Sequence, residues 1–336
     1  MSNPFEMIFS LTNIGIMFAL SLAGFLLALI VRAIQGKPGG TAVLNGLEAG
    51  LCMLGGQMVA QLTVAFFIWL GGVTGAAQIG TGFFFLIWPG LIDLFAAPFM
   101  NEPLIGTYGL GWFALAVGAG GGFFEGFHRV HKWAGPGILT FLADYSWGLP
   151  LTVNAFLIHL INLIWGTAQE DGRHGAHRYV SGFRIKGNFA FTQGNLLSNL
   201  NYGPGQPYAP GEDLYDHEQT HVLQNRLFGP FFWMIYFGWL ILFGLFGLIG
   251  SLVSWGKNSA GIRIAADFPM WWGYFNNPWE LWAYTHNPSG RTGNLPSGDG
   301  TGWLDWPVVV KVILVILGVA LLLLLILLAV WGIWGP

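Results

Sequence analysis

Long apolar stretches separated by short polar connections make up most of this chain. Seven of them approach or reach the ~20 residues that a helix needs to cross the hydrocarbon layer of a bilayer. They cover residues 8–31, 50–72, 80–99, 105–124, 150–166, 231–255 and 308–332. The pattern predicts an all-α, integral membrane protein, a multi-pass helical bundle of six to eight membrane helices.

Polar residues and glycines mark special positions within these stretches. Asp93 and Pro89 interrupt the third stretch, and Asp144 lies shortly before the fifth. A carboxylate at membrane depth usually faces protein or a cavity, because lipid does not solvate it. The glycine run 118–122 in the fourth stretch predicts close packing of two helices.

A polar insertion follows the fifth apolar stretch. Polar, glycine and turn residues dominate from Ala168 to His221, and no segment there is suited to cross a bilayer. Residues 179–185 and 188–192 show strand-like alternation, and Lys186-Gly187 between them predicts a β-hairpin. The insertion therefore combines a small sheet with the helix that follows it.

These patterns divide the chain into five parts. The order is N-terminal membrane helices, the polar insertion, an apolar spanning or re-entrant segment, a second polar segment and a C-terminal membrane helix. Their predicted limits are 1–167, 168–229, 230–256, 257–306 and 307–336.

Composition supports the membrane assignment. Hydrophobic residues make up 54% of the 336 residues and charged residues only 9%, whereas roughly a quarter of an ordinary soluble domain is charged. We therefore expect the lipid bilayer as a partner, and a multi-pass location in a bacterial inner membrane. The net charge of −3 argues against nucleic acid as a partner.

Basic residues leave the orientation in the membrane open. Arg32 and Lys37 suggest that the first helix ends in the cytoplasm. If every apolar stretch crosses the bilayer, the basic group at 129–132 then falls outside, against the same rule. One re-entrant stretch would remove the conflict.

The polar insertion ends in a helix, predicted over 214–228, that carries an H-E-x-x-H. Asp213 is suited to cap its start, and Gly229 followed by proline ends it. His217 and His221 project from the same face, four residues apart, as two zinc ligands require. Glu218 lies beside them and is suited to accept a proton from a metal-bound water.

A third ligand must come from elsewhere in the chain. Gln224 and Leu227 occupy the positions of the glycine and histidine in the longer H-E-x-x-H-x-x-G-x-x-H pattern, which is thereby excluded. We expect Glu280 to be the third ligand, in a helix within 276–286. His286 is the reserve candidate.

The surroundings of Glu280 allow a purely structural reading as well. Asn277 is suited to cap this helix and Pro278 to occupy its first position. Asn277 and Glu280 also have the spacing of a capping box, in which a glutamate needs no metal. Both readings stay open at this point.

Three pieces of sequence together resemble the gluzincin group of zinc metallopeptidases. They are HEQTHVLQNRLFGP at 217–230, FAFTQGN at 189–195 and PWELWA at 278–283. The similarity is strongest to bacterial putative peptidase domains with H-E-x-x-H-V-x-Q, a preceding F-T-x-G-N strand and a later E-x-x-A. Membrane-embedded CAAX-type endopeptidases share the broader H-E-x-x-H…E-x-x-A arrangement. The resemblance covers residues 188–286 only.

The resemblance implies a small α+β zincin-like fold for the insertion. It implies that Zn²⁺ is bound by His217, His221 and Glu280, with Glu218 as general base. It also implies an edge strand on which an extended peptide pairs, formed by Phe189, Ala190, Phe191 and Thr192.

One position departs from the CAAX-type pattern. An aspartate follows E-x-x-A there and orients a ligand histidine, whereas this chain has Tyr284. The group that orients a histidine must therefore come from another position. For stabilising the oxyanion, His286, Tyr284 and Arg291 are equivalent candidates.

The leading hypothesis is a membrane metallopeptidase that acts on polypeptide substrate. The alternative is a non-catalytic structural or assembly subunit, which would bind partner membrane subunits and retain a metallopeptidase-like fold. A transporter ranks third, on Asp93 and Asp144 alone.

A full crossing by 231–255 would place Glu280 across the bilayer from His217. The metal site therefore requires a re-entrant segment, a further partial crossing within 258–285 or a site within the membrane.

Overall fold

The computed structural model describes residues 3–168, 173, 175–184, 190–203, 206–207, 213–254 and 271–285. The described chain is mostly helical, with a small sheet. It divides into two compact units. The first contains Met1–Ala209 and His221–Pro230, and the second contains Pro210–Thr220 and Phe231–Pro336.

The first unit begins with eight helices in its described residues. Hydroxyl side chains set two of their starts, since Ser10 Oγ accepts the Asn13 N–H and Thr74 Oγ1 accepts the Ala77 N–H. The helices are α1 Pro4–Ile8, α2 Leu11–Ile34, α3 Gly39–Leu70, α4 Gly75–Thr81, α5 Trp88–Met100, α6 Gly106–Phe127, α7 Pro136–Tyr145 and α8 Leu149–Trp165.

Helices α3 and α6 pack backbone to backbone in an antiparallel pair. Glycines recur at every fourth position of α6, on the face towards α3, and a Cβ atom on any of them would overlap α3 backbone. The close approach predicted from the glycine run is therefore confirmed. The pairs are Gly118 with Gly56, Gly122 with Cys52, and Gly126 with Ala49.

Polar contacts join the ends of α2, α3 and α6. Near one end, Asn13 Nδ2 donates to Gln61 Oε1 over 3.0 Å. At the other end, Arg32 Nη2 donates to the carbonyl oxygen of Phe127 over 2.7 Å, and its guanidinium lies 4.1 Å from the centre of the Phe127 ring. The C-terminal ends of α2 and α6 therefore meet.

The third apolar stretch is not one spanning helix, so that prediction is wrong. After α4 comes a π-helical turn, Gly82–Leu86, and Ile87, with φ of 59°, separates it from α5. Gly82 and Gly90 pack closely across this break, where a Cβ atom on Gly90 would overlap the backbone of Phe83. Within α5, the buried Asp93 carboxylate accepts the N–H of Ile105 over 2.6 Å. This contact ties α5 to the start of α6.

The long apolar helices are compatible with a membrane protein. Four described helices are long and apolar enough to cross a bilayer, namely Leu11–Ile34, Gly39–Leu70, Gly106–Phe127 and Pro230–Gly247. Helices α7 and α8 form a pair bent by 85°, which raises the number to five if the pair is one span. The predicted six to eight spans are not confirmed, and the stretch 308–332 lies outside the described residues.

The sheet of the first unit has four strands in the order β1-β2-β4-β3. Strand β2 pairs antiparallel with β1 and parallel with β4, so both of its edges are occupied. The predicted pairing of 179–185 with 188–192 is therefore wrong for their described residues, and the predicted turn at Lys186-Gly187 lies outside the described residues. The observed hairpin joins β3 to β4 through Gly194-Asn195. The strands are β1 Thr167–Ala168, β2 His177–Ser181, β3 Phe191–Gln193 and β4 Leu196–Ser198, followed by the separate pair β5 Asn201–Gly203 and β6 Gln206–Pro207.

Two further long helices follow the sheet. Helix α9, Asp213–Phe228, is continuous, and the boundary between the two units falls within it. Helix α10, Pro230–Ser254, belongs to the second unit from Phe231 onward.

The rest of the described second unit returns along α10. It consists of a π-helical turn, Trp271–Phe275, and α11, Pro278–Ala283. Gly273 packs against the backbone of Leu240, and Asn277 Nδ2 donates to the carbonyl oxygen of Tyr236 over 3.4 Å. The order of these contacts brings α11 back beside the first turns of α10.

Candidate metal centre

Helix α9 carries the H-E-x-x-H. It begins at Asp213, which was predicted as its cap, a difference of one residue. It ends at Gly229, whose φ of 53° suits a glycine just after a helix and whose N–H bonds the carbonyl oxygen of Asn225 over 2.8 Å. The predicted limits of this helix are thus confirmed within a residue.

Three buried side chains place possible ligand atoms close together. His217 Nε2 lies 3.4 Å from Glu280 Oε2, and both residues belong to the second unit. His221 follows one turn later on the same continuous helix. One ligand atom from each of the three residues lies within 4.8 Å of the others. Ligand atoms that each lie about 2.0–2.2 Å from one ion are separated from each other by distances like those between these three residues. The three residues therefore fit a divalent cation.

Helix α11 presents Glu280 as the sequence predicts. Asn277 Oδ1 accepts the N–H of Trp279 over 3.1 Å, and Pro278 occupies the first helical position. The Asn277 cap is therefore confirmed. The Glu280 carboxylate, however, also lies beside His217, a contact that the capping-box reading does not include.

Tyr236 on α10 contacts the second oxygen of Glu280, and sequence reasoning did not single it out. Its hydroxyl donates to Glu280 Oε1 over 2.5 Å. The other oxygen, Oε2, is the one near His217 Nε2. Tyr236 therefore fixes the rotation of the carboxylate that faces the histidines. The only available signal was a hydroxyl within an otherwise apolar helix.

Gln224 supplies an orienting contact for His221. The two side chains lie on one helix, with His221 Nδ1 2.9 Å from Gln224 Oε1. An Nδ1–H donated to this oxygen leaves the Nε2 lone pair of His221 available to a metal. Gln224 is thus the residue whose contact would orient His221 if a metal is bound.

Two tyrosines surround the pair of His217 and Glu280. The ring of Tyr284 lies 4.5 Å from that of His217, centre to centre. Burial, followed by the charge of Glu280, raises the pKa of Tyr274. The role of Tyr284 as a donor to the oxyanion stays a prediction.

The remaining predicted site residues fall into two groups. Glu218 is buried on α9, and Phe191 and Thr192 lie on β3, an edge strand, with Ala190 directly before it. Phe189, His286 and Arg291 lie outside the described residues.

No family model, curated protein or solved structure matches this chain.

Proposed function

We propose that this chain is a membrane-embedded zinc metallopeptidase that hydrolyses peptide bonds. The observation that carries the proposal is the convergence of His217, His221 and Glu280 on one buried point beside Glu218. Two imidazole nitrogens and one carboxylate oxygen are a donor set that suits zinc and leaves a fourth position for water.

The protein's own residues supply the other parts of a hydrolytic mechanism. When bound, zinc would act as a Lewis acid and lower the pKa of its water towards neutrality. Glu218 accepts the proton from the attacking water and passes it to the leaving amine. The Tyr284 hydroxyl is the described candidate for a donor to the oxyanion, and His286 and Arg291 are the candidates beyond the described residues.

The edge strand gives the proposed substrate a place to pair. An extended peptide would add to β3 by main-chain hydrogen bonds, over Phe189, Ala190, Phe191 and Thr192. We further propose six to eight membrane helices, with 308–332 as one of them, and a bacterial inner membrane as the location. The substrate class is then a polypeptide in or near that membrane.

Zinc content and peptide hydrolysis of the purified wild-type chain test the proposal together. We expect one zinc per chain after mild detergent extraction, and cleavage of an unfolded model polypeptide that stops on chelation and returns with zinc. Less than one zinc per chain contradicts the metal site. Zinc without hydrolysis favours the non-catalytic structural or assembly subunit instead.

Replacing Tyr236 tests how Glu280 is held. Tyr236→Phe removes the hydroxyl that donates to Glu280 Oε1, so the carboxylate loses its fixed rotation. We expect the zinc affinity to fall about 10–100-fold, the usual effect of losing such an outer contact. Competition with a chromogenic chelator measures it. Tyr108→Phe, the same change at a half-exposed tyrosine of α6, is the control, and equal affinities for the two variants would contradict the role.

A further inference from the structure

A second buried cluster of ionisable side chains lies in the first unit, on residues that the proposed hydrolysis does not use. Glu125 on α6, His131 after it and Asp144 on α7 are almost fully buried. His131 Nε2 lies 3.1 Å from Glu125 Oε2 and 3.9 Å from Asp144 Oδ2. One ligand atom from each lies within 4.8 Å of the others, so a metal is the first possibility to consider.

The hydrogen bonds on Asp144 argue against a metal here. Arg226 Nε donates to Asp144 Oδ1 over 2.8 Å, and Arg226 Nη2 donates to Oδ2 over 2.7 Å. Asn195 Nδ2 also donates to Oδ2, over 3.1 Å. Both oxygens are therefore occupied by N–H donors, and a guanidinium already neutralises the carboxylate.

Glu125 has only one oxygen left for any ligand. Its Oε1 accepts from Asn195 Nδ2 over 2.5 Å, which leaves Oε2 facing His131. Two donor atoms, His131 Nε2 and Glu125 Oε2, are fewer than the three or four protein ligands of a zinc site. A single proton between these two atoms satisfies both.

The opposite side of the His131 ring shows where its other proton is. The Thr140 hydroxyl donates to the carbonyl oxygen of Gly137 over 2.9 Å. Thr140 Oγ1 is therefore the acceptor in its 3.0 Å contact with His131 Nδ1, which must carry a hydrogen. The proton between Nε2 and Glu125 Oε2 is then additional to that of a neutral imidazole.

The count of charges gives this additional proton a structural purpose. Without it, two buried carboxylates face one guanidinium, and the cluster carries a net charge of −1. With it, the cluster is neutral, which a buried environment strongly favours. Burial acts to lower the pKa of Arg226, but the charges of Asp144 and Glu125 and the hydrogen bond to Asp144 together raise it, so the guanidinium stays charged.

We propose that Glu125 and His131 form a buried proton-binding site whose neutral, proton-loaded state holds two functional segments in place. The first is the β3–β4 turn, attached through Asn195. The second is the C-terminal half of the H-E-x-x-H helix, attached through Arg226, which also donates to the carbonyl oxygen of Gly175. Loss of the proton leaves an unbalanced carboxylate among these contacts and loosens both segments.

Other ionisable groups surround the pair and must be separated from it in any titration. Burial, followed by the charge of neighbouring histidines, lowers the pKa of His177, so this residue stays neutral near pH 7. Arg173 Nη2 pairs with Glu48, and its Nη1 donates to the carbonyl oxygen of His131. The groups are Tyr145 on α7, Cys52 and Glu48 on α3, His177 on β2, and Arg173.

The pH dependence of unfolding tests the proton site on the full chain in detergent. The folded chain holds a proton that the unfolded chain releases, so stability must fall as the pH rises above neutrality. The unfolding equilibrium then shifts by up to about tenfold per pH unit for one proton. Glu125→Gln places an amide N–H where the shared proton lies, and an amide does not titrate. We expect this variant to fold and to lose that part of the pH dependence.

Two further measurements keep the proposal open to contradiction. His131→Gln, which removes the imidazole, should also flatten the profile, at lower stability throughout. Profiles parallel to that of the wild type in both variants would overturn the proton site. Zinc content distinguishes a proton site from a metal site at Glu125 and His131. A zinc equivalent that is present in the wild type and lost in Glu125→Gln would also overturn the proton site. Absence of zinc from both the wild type and Glu125→Gln would contradict the proposed peptidase site. It would not affect the test of the proton site by the pH dependence of unfolding.

Discussion

Glu218→Gln should reduce peptide hydrolysis by about 10²–10⁴-fold, the usual contribution of a general base. Glutamine has nearly the same shape as glutamate, but its amide does not accept the proton of the attacking water. Glu218 is buried on α9 directly beside His217, so the substitution changes charge with little change in packing. The rate is measured as cleavage of a labelled polypeptide under single-turnover conditions.

The zinc content of this variant distinguishes a lost base from a lost metal. Since Glu218 is not one of the three converging ligands, we expect one zinc per chain in Glu218→Gln, as in the wild type. The same change at the exposed Glu102 is the control and should leave the rate unaltered. Hydrolysis at the wild-type rate by Glu218→Gln would refute the base assignment.

His217→Ala should abolish zinc binding at the centre. The substitution removes one of three protein ligands and leaves Glu280 without the imidazole that lies 3.4 Å from its carboxylate. We expect the affinity to fall by at least about 100-fold, more than the 10–100-fold of an outer contact. Elemental analysis after dialysis against a weak chelator measures the zinc that remains.

Gln219→Ala is the matched control for His217→Ala. It lies two positions further along α9, so its side chain points to a different face of the helix. We expect it to retain one zinc per chain. If His217→Ala also retained one zinc per chain, the three-ligand centre would be wrong, whatever the activity of the wild type.

Local sequence signals predicted the parts of the site that local chemistry determines. The glycine after α9 and the Asn277 cap of α11 each act on their own helix, so their residues alone indicate where each helix starts or ends. The four-residue spacing of His217 and His221 likewise follows from helix geometry. The choice of Glu280 as third ligand remains a prediction until a metal is measured.

Features that depend on distant partners were not predictable in this way. Alternation indicates a strand but not its neighbour, and β2 pairs in parallel with β4, which lies beyond the strand that was expected to join it. Hydropathy alone predicted a span in the third apolar stretch. Hydropathy does not show long-range contacts such as the hydrogen bond that Asp93 accepts from the Ile105 N–H. Tyr236 meets Glu280 across 44 residues.

The contact between Arg32 and Phe127 has a consequence for the number of crossings if α2, α3 and α6 cross a bilayer. Helices α2 and α6 would then end on one side of the bilayer, the chain would leave α3 and enter α6 on the other side, and 75–100 would make no net crossing. The basic residues after α2 and after α6 would then lie on the same side of that bilayer.

The same condition bears on the β3–β4 turn. Asn195, in this turn, contacts Glu125 close to the C-terminal end of α6. If β3 binds the substrate as proposed, the polypeptide would then approach from the side of the bilayer on which α2 and α6 end.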